Sequence, residues 1–241
     1  MFYIKGSWRS EEIYATDLLE GDHINGRQGN DVIYAMLGDD RAWGGNGDDT
    51  LWGGGGDDYL SGMAGDDILY GETGINTLAG GKGNDALYLG YEGGSSDGGD
   101  GNDTLVFEGS NGIGSAGAGD DTVLVRMDAT ATAEFTVGEG TDTIIVDQRD
   151  EGRSVARVLD WRPGDKISFL AADGRDSLAT FDALDTNDDG EIGAGDVETE
   201  FGAVGYNAAG DGLVIRFGDM LTGDHVVLVG TLSLDISEVS L

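Results

Sequence analysis

The sequence predicts an all-β chain wound as a repeat solenoid. The first observation is a nine-residue phrase that keeps its register from Gly26 to Leu124: GGNGDDTLW at 44–52, GGGGDDYLS at 53–61, GGKGNDALY at 80–88 and GGDGNDTLV at 98–106. The second is the content of the phrase, a glycine-rich turn, an Asp at position six and an aliphatic residue at position eight. The third is composition. The 241 residues include 45 glycines, 47 acidic and 13 basic residues, for a net charge of −34. Such a composition fits either disorder or a repeat array that needs cations. The fixed period decides for the array, because disordered tracts do not hold one register through eleven units.

With Gly26 as position one, units begin at 26, 35, 44, 53, 62, 71, 80, 89, 98, 107 and 116. Position eight is Ile33, Ala42, Leu51, Leu60, Leu69, Leu78, Leu87, Ser96, Leu105, Gly114 and Val123. Position six is Asp31, Asp40, Asp49, Asp58, Asp67, Asn76, Asp85, Gly94, Asp103, Gly112 and Asp121. Six-residue turns are expected to alternate with three-residue strands, in which only position eight points inward.

Such a unit does not hold itself together. One buried Leu contributes roughly 2 kcal/mol, whereas ordering each backbone residue costs roughly 1–2 kcal/mol. Ladder hydrogen bonds return only ~1 kcal/mol each. Acidic turns stacked ~4.8 Å apart repel one another. A cation that binds only the folded form closes the gap. Asp carboxylates and turn carbonyls are hard oxygen donors, which points to calcium. No His or Cys stands in the turns to favour a softer metal.

These units resemble the RTX family, the haemolysin-type calcium-binding nonapeptide repeat proteins. The resemblance implies a parallel β-roll, a calcium-filled β-solenoid in which alternate units form two sheets and one coil takes 18 residues. Calcium then lies between a turn and the turn two units later, and the turns form two columns. One column holds Asp31, Asp49, Asp67, Asp85, Asp103 and Asp121 without a break. The other holds Asp40 and Asp58, then Asn76, Gly94 and Gly112. An upstream unit, Asp17–Asn25, adds Asp22 in phase, with Ile24 inward. Five intervals in the first column and two in the second, Asp22/Asp40 and Asp40/Asp58, give about seven roll ions, with Asn76 a further candidate ligand at Asp58/Asn76.

The outer faces differ. Tyr34, Trp52, Tyr70 and Tyr88 fall at position nine on the first column's sheet and form an aromatic stripe. Three occupants are open: the chain's own C-terminal half, a second molecule, or a polysaccharide stacked on the rings.

After Leu124 the register slips. VGEGTDTIIV at 137–146 restates the turn, with Asp142 and Ile144 in role. VLDWRPGDKISFL at 158–170 reads as strand, turn and strand, similar to the closing segment of serralysin-type C-terminal domains. DTNDDGEIGAGD at 185–196 has EF-hand spacing, with Asp185, Asn187, Asp189, Glu191 through its carbonyl, and Asp196 where Glu is usual. It is expected to hold one calcium in a dockerin-like loop. Leu178, Phe181 and Leu184 before it, and Val197 and Phe201 after it, predict short flanking helices. GLVIRF at 212–217, HVVLVG at 225–230 and Leu232–Leu241 read as strands. The division is thus 1–124, N-terminal cap and roll; 125–170, irregular continuation; 171–202, EF-hand-like loop with helices; 203–241, C-terminal strands with a type I secretion signal.

Function classes narrow accordingly. The few basic residues are scattered, which disfavours nucleic acid, and no apolar run approaches the ~20 residues of a membrane span. The N-terminus lacks the apolar core of a cleaved signal peptide. Export through a type I machine is expected from the family resemblance and the C-terminal residues Glu238–Leu241. His23 and His225 stand apart, and neither HExxH nor GxSxG occurs. The expectation is a non-enzymatic, secreted, extracellular calcium-binding protein that folds outside the cell. The alternatives are an adhesin, matrix or polysaccharide-binding module that uses the stripe, or an accessory domain of a separate enzyme.

Overall fold

A computed structural model describes residues 3–15, 20–109, 111–127, 132–147, 155–160, 165–170, 176–179, 203–206, 212–216 and 225–229. They form strands joined by short bends and irregular segments, with no helix among the described residues. From Tyr3–Lys5 to Lys166–Leu170 successive strands alternate between a twelve-stranded and a ten-stranded sheet, with parallel pairing between strands one coil apart. The two sheets form the walls of a parallel β-solenoid.

Hydrophobic register sets the coil length. In the larger sheet Ile24 pairs with Ala42, Ala42 with Leu60, and Leu60 with Leu78, each 18 residues apart. In the smaller sheet Ile33, Leu51, Leu69, Leu87, Leu105 and Val123 form the matching row. Past Leu124 the coils lengthen but pairing persists: Val123 meets Ile144, and Ile144 meets Ile167. Asp142 and Ile144 thus keep their repeat positions, and of 158–170 the described parts put Val158 in the larger sheet and Lys166–Leu170 in the smaller.

The division of each unit differs from expectation. Most strands of the repeat region run six or seven residues, and Arg41–Asn46 and Thr50–Gly55 leave only three residues between them for the turn. Pairing simply resumes after the first glycine: Trp43 pairs with Ser61, and Gly45 with Met63. The longer strand makes position one inward as well as position eight. Ala35, Leu89, Phe107 and Ala116 are accordingly buried in the same core as Leu51, Leu60 and Leu69.

Beyond the coils the topology turns antiparallel. Val155–Val158 pairs in parallel with His225–Val229, which pairs antiparallel with Gly212–Arg216, and that in turn with Ala203–Tyr206. Two of the three C-terminal segments expected as strands are thus strands, at 212–216 and 225–229, while 232–241 lies outside the described residues. Asp176–Ala179 is a strand antiparallel to Lys166–Leu170. Leu178 thus belongs to a strand, where a helix is expected from the sequence, because it pairs with Ser168 on the sheet edge.

Candidate metal centre

The position-six aspartates line the inside of the turns in two rows. Asp31, Asp49, Asp67, Asp85, Asp103, Asp121 and Asp142 are each about 1–2% exposed, as are Asp40 and Asp58 of the second row, while Asp22 is fully buried. One carboxylate oxygen of each is used by the fold. The Asp31 N–H donates to Asp49 Oδ1 at 2.7 Å, and Asp49, Asp67 and Asp85 repeat this to the next aspartate at 2.7 Å. Asp103 donates to Asp121 Oδ1 at 2.8 Å and Asp121 to Asp142 Oδ1 at 2.9 Å. In the second row Asp22 donates to Asp40 at 2.5 Å and Asp40 to Asp58 at 2.8 Å.

The other oxygen is left over. Oδ2 of Asp31, Asp40, Asp49, Asp58, Asp67, Asp85, Asp103, Asp121 and Asp142 is buried without a hydrogen-bond partner. A buried anionic oxygen with no donor is costly, so its recurrence coil after coil needs a cause. The space it faces is kept clear by glycine. A Cβ on Gly26 would lie 2.5 Å from Asp31 Oδ2, as would one on Gly98 from Asp103 Oδ2, and at Gly62 it would overlap Asp67 Oδ2 outright. The fourth-position glycines make the turn itself, with Gly65 at φ 133° and Gly83 at φ 121°, a region L side chains avoid.

A hard divalent cation fits these rows. Each interval offers carboxylate oxygens from successive coils, and calcium completes its six to eight ligands with backbone carbonyls and water. Among the described residues no three His, Cys, Asp or Glu side chains converge on one point, so a metal here needs carbonyl ligands as well as carboxylates. Electrostatics agree. Burial pushes the Asp67 carboxyl up to about 8, against the backbone hydrogen bond from Asp49, and neighbouring carboxylates push the same way. Burial likewise lifts Asp58 and Asp121 to about 7, and Asp49, Asp85, Asp103 and Asp142 to about 6. Asp31 and Asp40 are raised for the same reason. Without a counter-charge the folded rows give up their protons at higher pH than free carboxylates do.

The first row is longer than its repeats. The Asp142 N–H donates to Asp165 Oδ1 at 3.1 Å, and Asp165 is buried. The sequence carries a signal for it, since Asp165 stands two residues before Ile167 as Asp142 stands before Ile144. At the other end the Glu11 N–H donates to Asp31 Oδ1 at 2.8 Å, while its own carboxylate accepts the Ser7 N–H.

A second, outer ladder at position five escapes the sequence reading. The Asp66 N–H donates to Asp48 Oδ1 at 3.0 Å, the Asn84 N–H to Asp66 Oδ1 at 2.7 Å, and the Asn102 N–H to Asn84 Oδ1 at 2.8 Å. It runs opposite to the inner ladder, since here the later coil donates to the earlier. An Asp or Asn at position five in Asn30, Asp48, Asp66, Asn84, Asn102 and Asp120 is the signal that reveals it.

The second row ends by substitution. Asn76 Oδ1 still accepts the Asp58 N–H at 2.9 Å, but its Nδ2 donates to Gly74 O at 3.3 Å. The amide keeps the ladder and removes the spare anionic oxygen. Beyond it, Gly94 and Gly112 carry no ligand, and position one becomes Leu89 and Phe107, both buried. Phe107 fills the space, since a Cβ on Gly112 would come within 2.6 Å of its ring and one on Gly114 within 2.7 Å. Phe107 stacks on Phe135, centroids 5.6 Å apart. Carbon takes the place of carboxylate in this part of the row.

Tyr34, Trp52, Tyr70 and Tyr88 form a continuous ladder with Tyr14. Centroids are 4.8 Å apart for Tyr14/Tyr34, 6.5 Å for Tyr34/Trp52, 4.0 Å for Trp52/Tyr70 and 4.7 Å for Tyr70/Tyr88, all within 16° of parallel. The rings face one another along the solenoid axis and offer mainly edges to solvent, so stacking a sugar on these faces finds them already covered. A cavity of about 860 Å³ runs beside them, lined by Trp52, Tyr70, Leu37, Thr73 and Glu72. The expected EF-hand ligands Asp185, Asn187, Asp189, Glu191 and Asp196 lie outside the described residues.

Fold and rows together define a calcium-binding β-solenoid, its repeats joined by shared carboxylate sites. The family model of the RTX calcium-binding nonapeptide repeat matches four overlapping segments, 20–51, 35–69, 43–78 and 61–90. Residues 20–90 thus carry repeats of the RTX calcium-binding nonapeptide family. Curated proteins give no match to the chain.

Proposed function

We propose that this is a secreted calcium-binding repeat protein, without catalysis of its own, that folds when it meets calcium outside the cell. The observation that carries the reading is the row of buried Oδ2 atoms without donors, with glycine keeping open the space beside those of Asp31, Asp49, Asp58, Asp67, Asp85 and Asp103. The first row from Asp31 to Asp142 gives six intervals, and the second gives Asp22/Asp40 and Asp40/Asp58. This is close to the seven roll ions expected, and Asp142 supplies the increase.

In a low-calcium cytosol the ionised rows keep the chain open, which suits passage through a type I export channel. Outside, calcium neutralises the rows, and each new coil completes its neighbour's site, so folding propagates along the array. Extracellular calcium modules bind at about 10⁻⁴–10⁻³ M, a range suited to such a switch. The DTNDDGEIGAGD loop would add one further ion. Far-UV circular dichroism during calcium titration tests the reading: a coil spectrum in chelator at neutral pH is expected to become β-rich. A chelated protein that is already fully β-structured would overturn it. Loss of the protein from culture supernatant on deletion of the last ~40 residues, the strand-like tail, tests the export route.

A further inference from the structure

We propose that the outer face of the larger sheet, over its first five strands, binds an acidic polysaccharide, a hexose polymer carrying carboxylate or sulfate groups. The inference rests on the calcium reading only in requiring the coils to be folded. It concerns the face opposite the stacked aromatic ladder.

Parallel register builds two outward rows there. One runs Tyr3, His23, Arg41, Tyr59 and Thr77, and the other Lys5, Asn25, Trp43, Ser61 and Ala79. Neither row contains a carboxylate, in a chain with 47 acidic residues. The first acid in these rows is Asp97, one strand further on. Lys5 and Arg41 are exposed, and the described residues place no carboxylate in an ion pair with either. These rows thus carry two cations and no carboxylate on a molecule that otherwise repels polyanions, and a polyanion docks where local charge is complementary.

The rings here are arranged differently from those of the other sheet. Tyr3/His23, His23/Trp43 and Trp43/Tyr59 have centroids 5.0, 5.9 and 6.0 Å apart and are tilted by 59°, 57° and 50°. Tilted rings do not cover one another's faces, and Tyr3 is 71% exposed. Open ring faces pack against the C–H faces of sugars, while Asn25, His23 and the Tyr hydroxyls offer hydrogen bonds to hydroxyl groups. The face is a sheet surface without walls. Its five strands, ~4.8 Å apart, extend over about 19 Å, which suits an extended chain better than a small molecule. Calcium in the rows behind the face lowers the surrounding negative field, so polyanion binding should strengthen as the coils fill.

Isothermal titration of the whole protein in calcium tests this with a galacturonate oligomer short enough to stay soluble with the ion. Sulfated galactose oligomers, neutral galactose oligomers and single-stranded DNA are run beside it. Binding of the carboxylated or sulfated oligomer that weakens with sodium chloride is expected, and the stronger of the two identifies the acidic group. Arg41→Gln and Trp43→Ala should each weaken it by about tenfold, with Tyr70→Ala on the opposite face unchanged. Calcium-induced circular dichroism of each variant confirms folding. Three results would overturn the proposal: no binding by the calcium-folded protein, equal binding of the neutral oligomer, or equal loss in Tyr70→Ala. Tighter binding of DNA, or a calcium-dependent self-association that Arg41→Gln disperses, would assign the face to another partner and overturn it too. Oligomer binding without any calcium-induced folding would sink the calcium reading and leave the face standing.

Discussion

Replacing Asp67 by Asn should change the sign of its effect with the presence of calcium. Asn76 shows what the change does: the Oδ1 acceptor survives for the preceding coil's N–H, and the spare oxygen becomes a donor. In Asp67→Asn the bond from Asp49, 2.7 Å in the native chain, is kept. What goes is a carboxylate shared by two intervals. With calcium at 10–100 times its dissociation constant, each filled site stabilises the fold by about 1.4–2.7 kcal/mol. Losing both intervals therefore costs at most about 3–5 kcal/mol. In calcium-free buffer the balance reverses. Burial raises the Asp67 carboxyl from 3.8 to about 8, so the folded state binds a proton that the unfolded state has released. At pH 7 that linkage penalises folding by about 4 kcal/mol, on the order of 1.4 kcal/mol for each pH unit above 3.8. The amide removes the penalty. Urea unfolding followed by circular dichroism, in 10 mM calcium at pH 7 and in chelator from pH 4 to 8, reads both arms. Asp67→Asn should lower the midpoint in calcium and hold calcium-free β-structure to higher pH. A variant weakened equally in both media would refute the metal role of Asp67.

The same linkage predicts that acid substitutes for calcium in the native chain. The seven aspartates with values near 6, 7 or 8 disfavour the metal-free fold increasingly as pH rises from 3.8 toward neutrality, so chelated protein should gain β-structure near pH 4 and lose it by pH 7. Gly62→Ala places a methyl group on Asp67 Oδ2, so its calcium midpoint should rise severalfold while acid-induced folding changes less. Asn76→Asp restores a carboxylate to the second row, and calorimetric titration should count one more ion. Phe107→Ala empties the apolar part of that row and should cost about 3–5 kcal/mol, by an amount that does not depend on calcium.

Much of the site was legible because a period is a statement about neighbours. Once 18 residues made one coil, the columns of Asp31 and Asp40 followed, and so did the failure of the second column after Asp58. What escaped was what required contact rather than periodicity. The six-residue strands were missed because glycines read as turn, whereas Gly45 and Asn46 continue the ladder through the kink at φ 125°. Asp165 was missed because the coil lengthened to 23 residues between it and Asp142. The aromatic stripe was legible as a stripe, but ring orientation was not. A row of Tyr and Trp at one position reads the same whether the rings lie flat on the sheet or stand stacked against each other.

The decay of the second row is a replacement with its own logic. Where Asp is lost at Gly94 and Gly112, position eight also shrinks, to Ser96 and Gly114, while position one grows to Leu89 and Phe107. The changes are complementary in volume, since the Phe107 ring lies over both Gly112 and Gly114. A site that lost only its carboxylate would leave a hole between coils, and a hole lined by backbone carbonyls is costly. Filling it with a ring removes both the hole and the need for an ion. The solenoid therefore has two ways to join successive coils on one side, buried carboxylates from Asp22 to Asp58 and hydrocarbon from Leu89 onward, while the first row runs as carboxylates from Asp31 to Asp142. Calcium dependence should consequently be steepest for coils before Asn76, where both edges rely on the ion, and shallower beyond it. Hydrogen exchange at stepped calcium concentrations resolves the two regions: amides of 22–64 should gain protection at higher calcium than those of 104–125. Uniform protection across both would mean that the hydrocarbon row lends no independent stability.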